Sequence, residues 1–353
     1  MPPTRRRAPA CYALVVPGIE DLAAAELKRA GAAVTGTLVR FDKRDSIILF
    51  TAPEPARALR CGTLEDVFHV LIDAPTPAEK TAPRRLADLI DRTALERALV
   101  AHHAVRPKRG GRSYKVVARV AGKHAFRRED LQRVFERAMA RLLPRWVPAT
   151  GPAAVELWVH VVGARTLIGL RLSGDELAAR AYKRAHLPAS LKPTVARALV
   201  LLAEPRPGDI VLDPMCGAGT LLRERADAGR AALIVGGDTD RAALAAARSN
   251  AGRQPALARW DATRLPLRDR SVDVVVTNPP YGRQHQAVPG IERLYARGLR
   301  EAARVLRPDG RCVVLTGEPD VLMRSLPPAL RVRSKRRLLL RGLAVTAFVM
   351  VRA

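Results

Sequence analysis

Cysteine is scarce in this chain, with four residues among 353. No two of them form the C-x-x-C spacing that is typical of zinc sites and thiol redox centres. Their distribution favours a reducing compartment and disfavours a disulfide framework or a metal centre. We therefore predict a cytoplasmic protein that binds no metal. The cysteines are Cys11, Cys61, Cys216 and Cys312.

Long apolar runs are also missing. No stretch reaches the roughly 18 apolar residues of a transmembrane helix, and the apolar segment 338–351 is interrupted by Arg341. The arginine-rich N-terminus precedes an apolar run that breaks at Pro17 and Gly18 and then turns acidic. That pattern does not fit a secretory signal, so we expect no membrane partner.

Acidic residues are few beside basic ones. The chain has 34 Asp and Glu against 61 Lys and Arg, a formal net charge of +27 at pH 7. Such a charge favours a polyanionic partner, above all a nucleic acid. A genome rich in arginine codons is the alternative explanation. The length allows two domains or three, and the 48% hydrophobic share allows a sizeable core.

A glycine-rich loop organises the second half of the chain. Residues 211–222 read V-L-D-P-M-C-G-A-G-T-L-L, in which an apolar strand ends at Asp213 and a helical pattern opens at Thr220. That order is typical of the ligand-binding edge of an open α/β sheet. Gly217 and Gly219 lack a Cβ and so allow the backbone to approach a ligand closely.

The third glycine of the dinucleotide-binding fingerprint is absent, because Leu222 stands in its place. A pyrophosphate would also meet the negative charge of Asp213. Both features disfavour a nicotinamide dinucleotide and favour a ligand with an ammonium group and a ribose. The loop residues assigned to cofactor binding are Asp213, Cys216, Gly217, Ala218 and Gly219.

A carboxylate follows the next apolar strand, 233–235. Asp238 is placed to accept hydrogen bonds from both ribose hydroxyls, and we assign Thr239 to the same site. Asp240 competes for this role, but its position at the start of a helical pattern, 241–250, favours an N-cap.

The strand 272–277 runs directly into Asn278-Pro279-Pro280-Tyr281. This motif resembles the corner at which amino-group methyltransferases hold their acceptor. The exocyclic amine of a nucleobase, the acceptor that the resemblance implies, is a poor nucleophile because its lone pair is delocalised into the ring. The Asn278 oxygen and the Pro279 carbonyl are suited to accept its two hydrogens and to stabilise the developing charge. The prolines hold an extended backbone, and Tyr281 offers a flat face for a flipped base. A coincidental turn is the alternative.

These two motifs, in this order, resemble class I S-adenosylmethionine-dependent methyltransferases that act on amino groups. The resemblance implies S-adenosylmethionine as cofactor and a Rossmann-like sheet that ends in an antiparallel hairpin, 336–341 and 344–351. It also implies that Asp261, followed by Ala262, faces the adenine amino group, although Asp favours turns regardless. A linker is expected over the cofactor pocket, unless it only joins two domains. Its candidate contacts are His186, Leu187, Pro188 and Ala189.

The first half is predicted to be α+β. Residues 11–72 show the order β-α-β-β-α-β of a ferredoxin-like unit. Residues 73–182 resemble the THUMP domain of RNA-modifying enzymes in S-Y-K-V-V-A-R, K-H-A-F-R-R-E-D-L and a closing L-x-x-R-x-Y. Apolar spacing predicts one long helix over 84–101. The remaining predicted segments are a basic tail (1–10), a linker (183–193) and the methyltransferase domain (194–353).

Basic residues crowd the THUMP-like region. Guanidinium and ammonium groups bind phosphates without regard to sequence, and a solvated charged face is the alternative. The candidates for RNA contact are Lys108, Arg109, Arg112, Lys115, Arg119, Lys123, Arg127 and Arg128.

The combined pattern is most similar to TrmN-type tRNA guanine-N2 methyltransferases. That similarity implies formation of N2-methylguanosine in tRNA, at position 6 of the acceptor stem, and we predict a monomer. The same chemistry on another acceptor stays open: guanine at tRNA position 10, a ribosomal guanine, an adenine N6 or a glutamine amide. A non-catalytic RNA-binding protein is a further alternative, which the intact Asp213, Asp238 and Asn278 disfavour.

Overall fold

The computed structural model describes residues 10–38, 44–106, 111–188, 190–281 and 290–353. They form two compact units. The first contains Ala23–Leu177 and the strand that ends at Val15, and the second contains Ala178–Ala353 and the short segment Val16–Leu22. Across these described ranges, no helix is both long enough and apolar enough to cross a membrane.

The first unit is built on an eight-stranded sheet. Its strands are β1 (Ala10–Val15), β2 (Ala33–Leu38), β3 (Ser46–Thr51), β4 (Leu64–Pro75), β5 (Ser113–Ala121), β6 (Val147–Pro148), β7 (Val155–Val162) and β8 (Arg165–Arg171). The helices along the same part of the chain are α1 (Glu20–Arg29), α2 (Pro55–Ala58), α3 (Ala82–Asp88), α4 (Arg92–Val105), α5 (Arg128–Leu142) and α6 (Glu176–Ala179). The strand order is β2-β3-β1-β4-β8-β7-β5-β6.

The first four strands confirm the predicted ferredoxin-like order. β1 pairs antiparallel with β3 and β4, and β2 pairs antiparallel with β3. Ala13 and Val15 of β1 pack in one cluster with Leu27 of α1. The charges of α1, acidic in the first turn and basic in the last, match the helix dipole. Gly31 follows the helix with a φ of 84°, which a glycine adopts without strain.

The helix predicted over 84–101 is in fact two helices, so that prediction was wrong. α3 ends before α4 begins at a new N-cap, Asp91, whose side chain accepts a 2.7 Å hydrogen bond from the backbone N–H of Ala94. An aspartate N-cap favours a new helix start over continuation. The apolar spacing hides the break, because Leu86 and Leu95 on either side pack into the same core.

The second unit is built on a seven-stranded sheet. Its strands are β9 (Ile210–Asp213), β10 (Leu233–Asp238), β11 (Ala256–Arg259), β12 (Val272–Thr277), β13 (Leu306–Thr316), β14 (Leu330–Leu340) and β15 (Leu343–Arg352). Its helices are α7 (Pro193–Leu202), α8 (Thr220–Asp227), α9 (Arg241–Ala251), α10 (Ile291–Val305) and α11 (Pro319–Arg324).

The strand order β11-β10-β9-β12-β13-β15-β14 is that of a doubly wound sheet. The first five strands in this order are parallel, and β15 pairs antiparallel with β13 and β14, as the predicted terminal hairpin requires. Both faces are buried, since neighbouring residues such as Val211 and Leu212 enter different cores. From β9 the chain adds β10 and β11 on one side, and it then returns to add β12 on the other side of β9. Ligands of open α/β sheets bind at such a switch point.

Candidate active site

The glycine-rich loop leads from β9 into α8. Gly217 and Gly219 have positive φ angles, 49° and 75°, which other residues adopt only with strain. A Cβ on Gly219 would stand 2.9 Å from the Cα of Ala247. This glycine therefore allows α9 to pack against the start of α8. A Cβ on Gly217 would meet no atom within 4 Å, so its backbone stays accessible from the pocket side.

Asp238 holds this loop from the end of β10. One carboxylate oxygen accepts a 2.9 Å hydrogen bond from the backbone N–H of Gly217, and the other accepts one of 3.1 Å from the N–H of Asp240. Asp240 in turn accepts from the N–H of Ala242 at 2.8 Å, which confirms its predicted role as the N-cap of α9. The two carboxylates therefore have different functions.

Asp213, the last residue of β9, is buried. Its Oδ1 accepts a 3.2 Å hydrogen bond from the backbone N–H of Met215. Burial raises the pKa of this carboxyl to about 7, because a low-dielectric environment disfavours the charged form.

We expect Asp213→Asn to change how stability depends on pH. A carboxyl whose pKa rises on folding stabilises the folded state most when protonated, so the wild type loses this contribution as pH increases from about 4 to about 7. The variant, which cannot ionise, should gain about 4 kcal/mol of unfolding free energy relative to wild type over that interval. Urea unfolding at several pH values measures this. A difference that does not vary with pH would contradict the raised pKa.

β12 delivers Asn278 to the pocket. Its side-chain Oδ1 is buried and has no hydrogen-bond partner among the described residues. A buried acceptor without a partner is costly, so this oxygen marks a place where a ligand N–H is expected. The adjoining turn is supported by Tyr295, whose hydroxyl donates to the Pro280 carbonyl at 3.4 Å and shares a 2.9 Å hydrogen bond with Thr316.

The ring of Tyr281 lies against the backbone of Gly317, where an added Cβ would stand 2.7 Å from the ring carbon Cδ2. The side chain is half-buried, and burial raises the pKa of its hydroxyl. Tyr281 therefore presents a neutral, positioned aromatic ring beside Asn278.

These elements surround a pocket of about 440 Å³ that lies entirely within the second unit. The predicted site residues that line it are Leu187, Pro188, Asp213, Cys216, Gly217, Ala218, Asp238, Thr239, Asp261, Ala262, Asn278, Pro279, Pro280 and Tyr281. His186 is exposed and, like Gly219, is not among the lining residues, whereas Ala189 lies outside the described residues. The carboxylate of Asp261 accepts a 2.8 Å hydrogen bond from the N–H of Thr263, so it acts as a turn residue as well.

Sequence reasoning missed several residues of the pocket. Trp260 donates from Nε1 to the Pro214 carbonyl at 3.1 Å, and its ring covers Gly237, where a Cβ would collide with it. Its place directly before Asp261 was the available signal. Leu294 carries no such signal, because it enters from α10. The others are Ser190, Leu191, Pro214, Met215, Thr220 and Leu221.

Two side chains fasten the linker beside the pocket. Lys183 donates from Nζ to the Leu191 carbonyl at 2.6 Å. The buried amide of Asn250 accepts from the N–H of Ala185 at 2.9 Å. It also donates to the carbonyls of Ala185 and Ala218, at 2.8 and 3.0 Å. One amide therefore joins the linker to the glycine-rich loop.

We expect Asn250→Ala to raise the KM for the ligand of this pocket about tenfold with a much smaller change in kcat. The substitution leaves buried backbone groups without partners, at about 1–3 kcal/mol for each, and releases the pocket wall from the loop. Steady-state kinetics well below the melting temperature of the variant measures the effect. An unchanged KM in a folded variant would show that the linker needs no such anchor.

The closing L-x-x-R-x-Y motif belongs largely to the second unit, not to the THUMP-like region alone. Arg180 and Tyr182 hydrogen-bond to the buried carboxylate of Glu224 on α8, at 3.2 and 2.8 Å, and Arg197 lies 3.1 Å from it. A buried carboxylate requires partners of this kind. The motif therefore anchors the helix that follows the glycine-rich loop.

Among the described residues, the predicted RNA-contacting side chains of β5 lie on the sheet face opposite α5. Tyr114 and Val116 of β5 pack on α5, so Lys115 and Arg119 lie on the opposite face of the sheet. Arg119 lies there 2.6 Å from Asp45 and over the ring of Trp158, so its guanidinium also has a structural role. Arg112, Lys123, Arg127 and Arg128 are exposed, and Lys115 is half-buried. Lys108 and Arg109 lie outside the described residues.

The pocket fits an adenosyl methyl donor. A carboxylate at the end of β10 matches a ribose, apolar walls match an adenine, and the unsatisfied Asn278 oxygen matches the N–H of an acceptor amine. Across the described ranges, no group of three or more His, Cys, Asp or Glu side chains is arranged to hold a metal ion.

The switch-point loop, the carboxylate on the second strand and the Asn-Pro-Pro-Tyr corner define a class I methyltransferase. Residues 180–338 match the family described as RMKL-like, methyltransferase domain. The chain belongs to the TrmN family of tRNA guanine-N2 methyltransferases.

Its relatives align with different shares of the chain. It is 36% identical over 237 residues to the tRNA (guanine(6)-N2)-methyltransferase of Thermus thermophilus, which covers 64% of this chain and 69% of that protein. It is 29% identical over 231 residues to the mouse tRNA (guanine(6)-N(2))-methyltransferase THUMP3, covering 60% of this chain and 45% of the relative. The crystal structure of TrmN from Thermus thermophilus matches with a TM-score of 0.82 at 29% identity, over 98% of this chain and 99% of that one.

Proposed function

We propose that this protein methylates the exocyclic N2 of guanine in tRNA, at position 6 of the acceptor stem, with S-adenosylmethionine as donor. The observation that carries the proposal is the buried, unsatisfied Oδ1 of Asn278 in a pocket that also contains Asp238. Two relatives with position 6 in their names support the choice of nucleotide.

The donor, when bound, supplies a methyl group activated by a sulfonium. Asp238 has two tasks: it orders the Gly217 backbone and presents a carboxylate for the ribose hydroxyls. Asn278 and the Pro279 carbonyl accept the two hydrogens of the guanine amine, which points the nitrogen lone pair toward the methyl group. As the N–C bond forms and the donor's S–C bond breaks, these acceptors would stabilise the positive charge on the nitrogen until it releases one proton to water. Tyr281 stacks on the extruded base.

The first unit, in this proposal, holds the tRNA backbone. The exposed side chains of Arg112, Lys123, Arg127 and Arg128 supply phosphate contacts that do not depend on sequence. We further propose that the enzyme acts as a monomer in the cytoplasm.

The test is to incubate the full chain with labelled S-adenosylmethionine and an unmodified tRNA transcript that carries guanine at position 6. We expect N2-methylguanosine by nucleoside mass spectrometry and loss of the product when guanine 6 is replaced by adenine. Methylation that persists after that replacement would move the target, for example to guanine 10. Absence of any methylated nucleoside, with donor binding intact, would contradict RNA methylation.

A further inference from the structure

An edge strand of the second unit carries an unusual row of cations. β14 ends the order of the seven-stranded sheet, and a two-residue turn joins it to β15. Six basic residues occur along this strand and its turn. They are Arg331, Arg333, Lys335, Arg336, Arg337 and Arg341.

Only part of this charge is used within the fold. Arg336 pairs with Asp21 at 2.8 Å, and Arg333 pairs with Glu204 at 3.0 Å on the surface. The exposed side chains of Arg337 and Arg341 have no ion-pair partner among the described residues.

Charged residues on an edge strand also protect it against pairing with other chains. Protection of the edge does not explain Arg341, because this residue lies in the turn and not on the strand. Its φ is 49°, a left-handed conformation that costs a non-glycine residue about 1–2 kcal/mol. Hairpin turns of this length favour Asn-Gly or Asp-Gly, whereas this one reads Arg341-Gly342. Its exposed charge at a strained position makes Arg341 a candidate for a functional role.

The strand register fixes how far Lys335 lies from the catalytic corner. Thr277 of β12 pairs with Val314 of β13. Val314 pairs with Phe348 of β15, which in turn pairs with Lys335. Lys335 is therefore level with the residue before Asn278, three strand spacings or about 14 Å away.

The residues after Lys335 extend toward the edge of the sheet that carries the catalytic corner. β14 pairs antiparallel with β15, and β15 pairs antiparallel with β13, so β14 runs parallel to β12. Arg337 shares a face with Lys335 at the strand period of two, and Arg341 follows at the turn. The ammonium of Lys335 lies 5.3 Å from the centre of the Phe348 ring, which orients its stem along that face.

We propose that Lys335, Arg337 and Arg341 form a phosphate-binding rail that holds the RNA backbone beside the flipped nucleotide. The proposal rests on the proposed function and adds to it a second RNA contact, on the catalytic unit itself. The row begins at Lys335, about 14 Å from the catalytic corner, and continues through Arg337 to Arg341 at the turn. The rail therefore contacts the stem next to the target and not the target itself.

The test compares two triple variants of the full chain. One is Lys335→Gln, Arg337→Gln and Arg341→Gln. The matched control removes three exposed arginines away from β14: Arg230→Gln before β10, Arg268→Gln before β12 and Arg300→Gln on α10. Binding of an unmodified tRNA transcript is measured between low and high salt, and donor binding is measured by calorimetry in the same preparations.

We expect the rail variant to weaken tRNA binding between about tenfold and several hundredfold at 0.1 M salt. The slope of log affinity against log salt should become shallower by about 2–3, the value for three lost phosphate contacts. The control variant should keep the wild-type slope, and all three proteins should bind the donor equally well. An unchanged slope in the rail variant, or an equal loss in the control, overturns the rail. Because binding is read without methylation, failure of the rail is distinct from a wild type that binds tRNA but does not methylate it.

Discussion

Asn278→Ala should lower kcat about 100- to 1,000-fold and leave donor affinity nearly unchanged. Removing a single preorganised group that stabilises transition-state charge has an effect of this size in other enzymes. In the proposed complex, the Asp238 carboxylate and the glycine-rich loop hold the donor. The buried Oδ1 of Asn278 has no partner within the described residues. Single-turnover rates with saturating tRNA, together with calorimetry of donor binding, separate the two quantities.

If Asn278→Ala methylated tRNA at the wild-type rate, Asn278 would have no role in the reaction. A variant that instead lost donor binding along with activity would assign Asn278 to the cofactor and not to the acceptor amine. A thermal melt close to that of wild type is the necessary control, because the residue follows a buried strand.

Asp238→Ala should weaken donor binding about 100-fold. It removes a carboxylate that orders the Gly217 backbone at 2.9 Å and, in the proposed complex, accepts from the ribose. Hydrogen bonds to a charged group contribute about 1.5–3 kcal/mol each, so two of them account for about 3 kcal/mol and a 100-fold change. Calorimetric titration with the donor measures this directly.

Asp240→Ala is the matched control, since it removes a carboxylate two residues away in sequence. Its side chain caps α9, so its loss should cost about 1 kcal/mol of stability and leave donor affinity unchanged. If Asp240→Ala weakened donor binding as much as Asp238→Ala, the division of roles between the two carboxylates would be wrong.

The fold of the second unit was largely predictable from local patterns. The strand before the glycine-rich loop, the N-cap at Asp240 and the terminal hairpin each depend on residues that are close in sequence. Gly219 shows where this reasoning fails. A side chain at this position would collide with Ala247, which lies on another helix. A glycine's ligand role and its packing role look identical in a sequence.

The pocket walls were harder to predict for the same reason. Leu294 reaches the site from a helix that follows the catalytic corner, and Asn250 joins two segments that are distant in sequence. In the first unit, Arg119 was assigned to RNA on the basis of its basic neighbours. Its side chain forms an ion pair with Asp45, a contact between residues far apart in the chain that its neighbours in sequence do not indicate. The spacing of residues in a sequence predicts local structure. Contacts between residues that are distant in sequence depend on the topology of the fold.

The most direct test is a crystal structure of the full chain with S-adenosylmethionine bound. We expect both ribose hydroxyls within hydrogen-bond distance of the Asp238 carboxylate, and the transferable methyl group directed toward the space beside Oδ1 of Asn278. A donor seated elsewhere, or one whose methyl group points away from that oxygen, would contradict the meeting of donor and guanine amine at the tips of β9, β10 and β12.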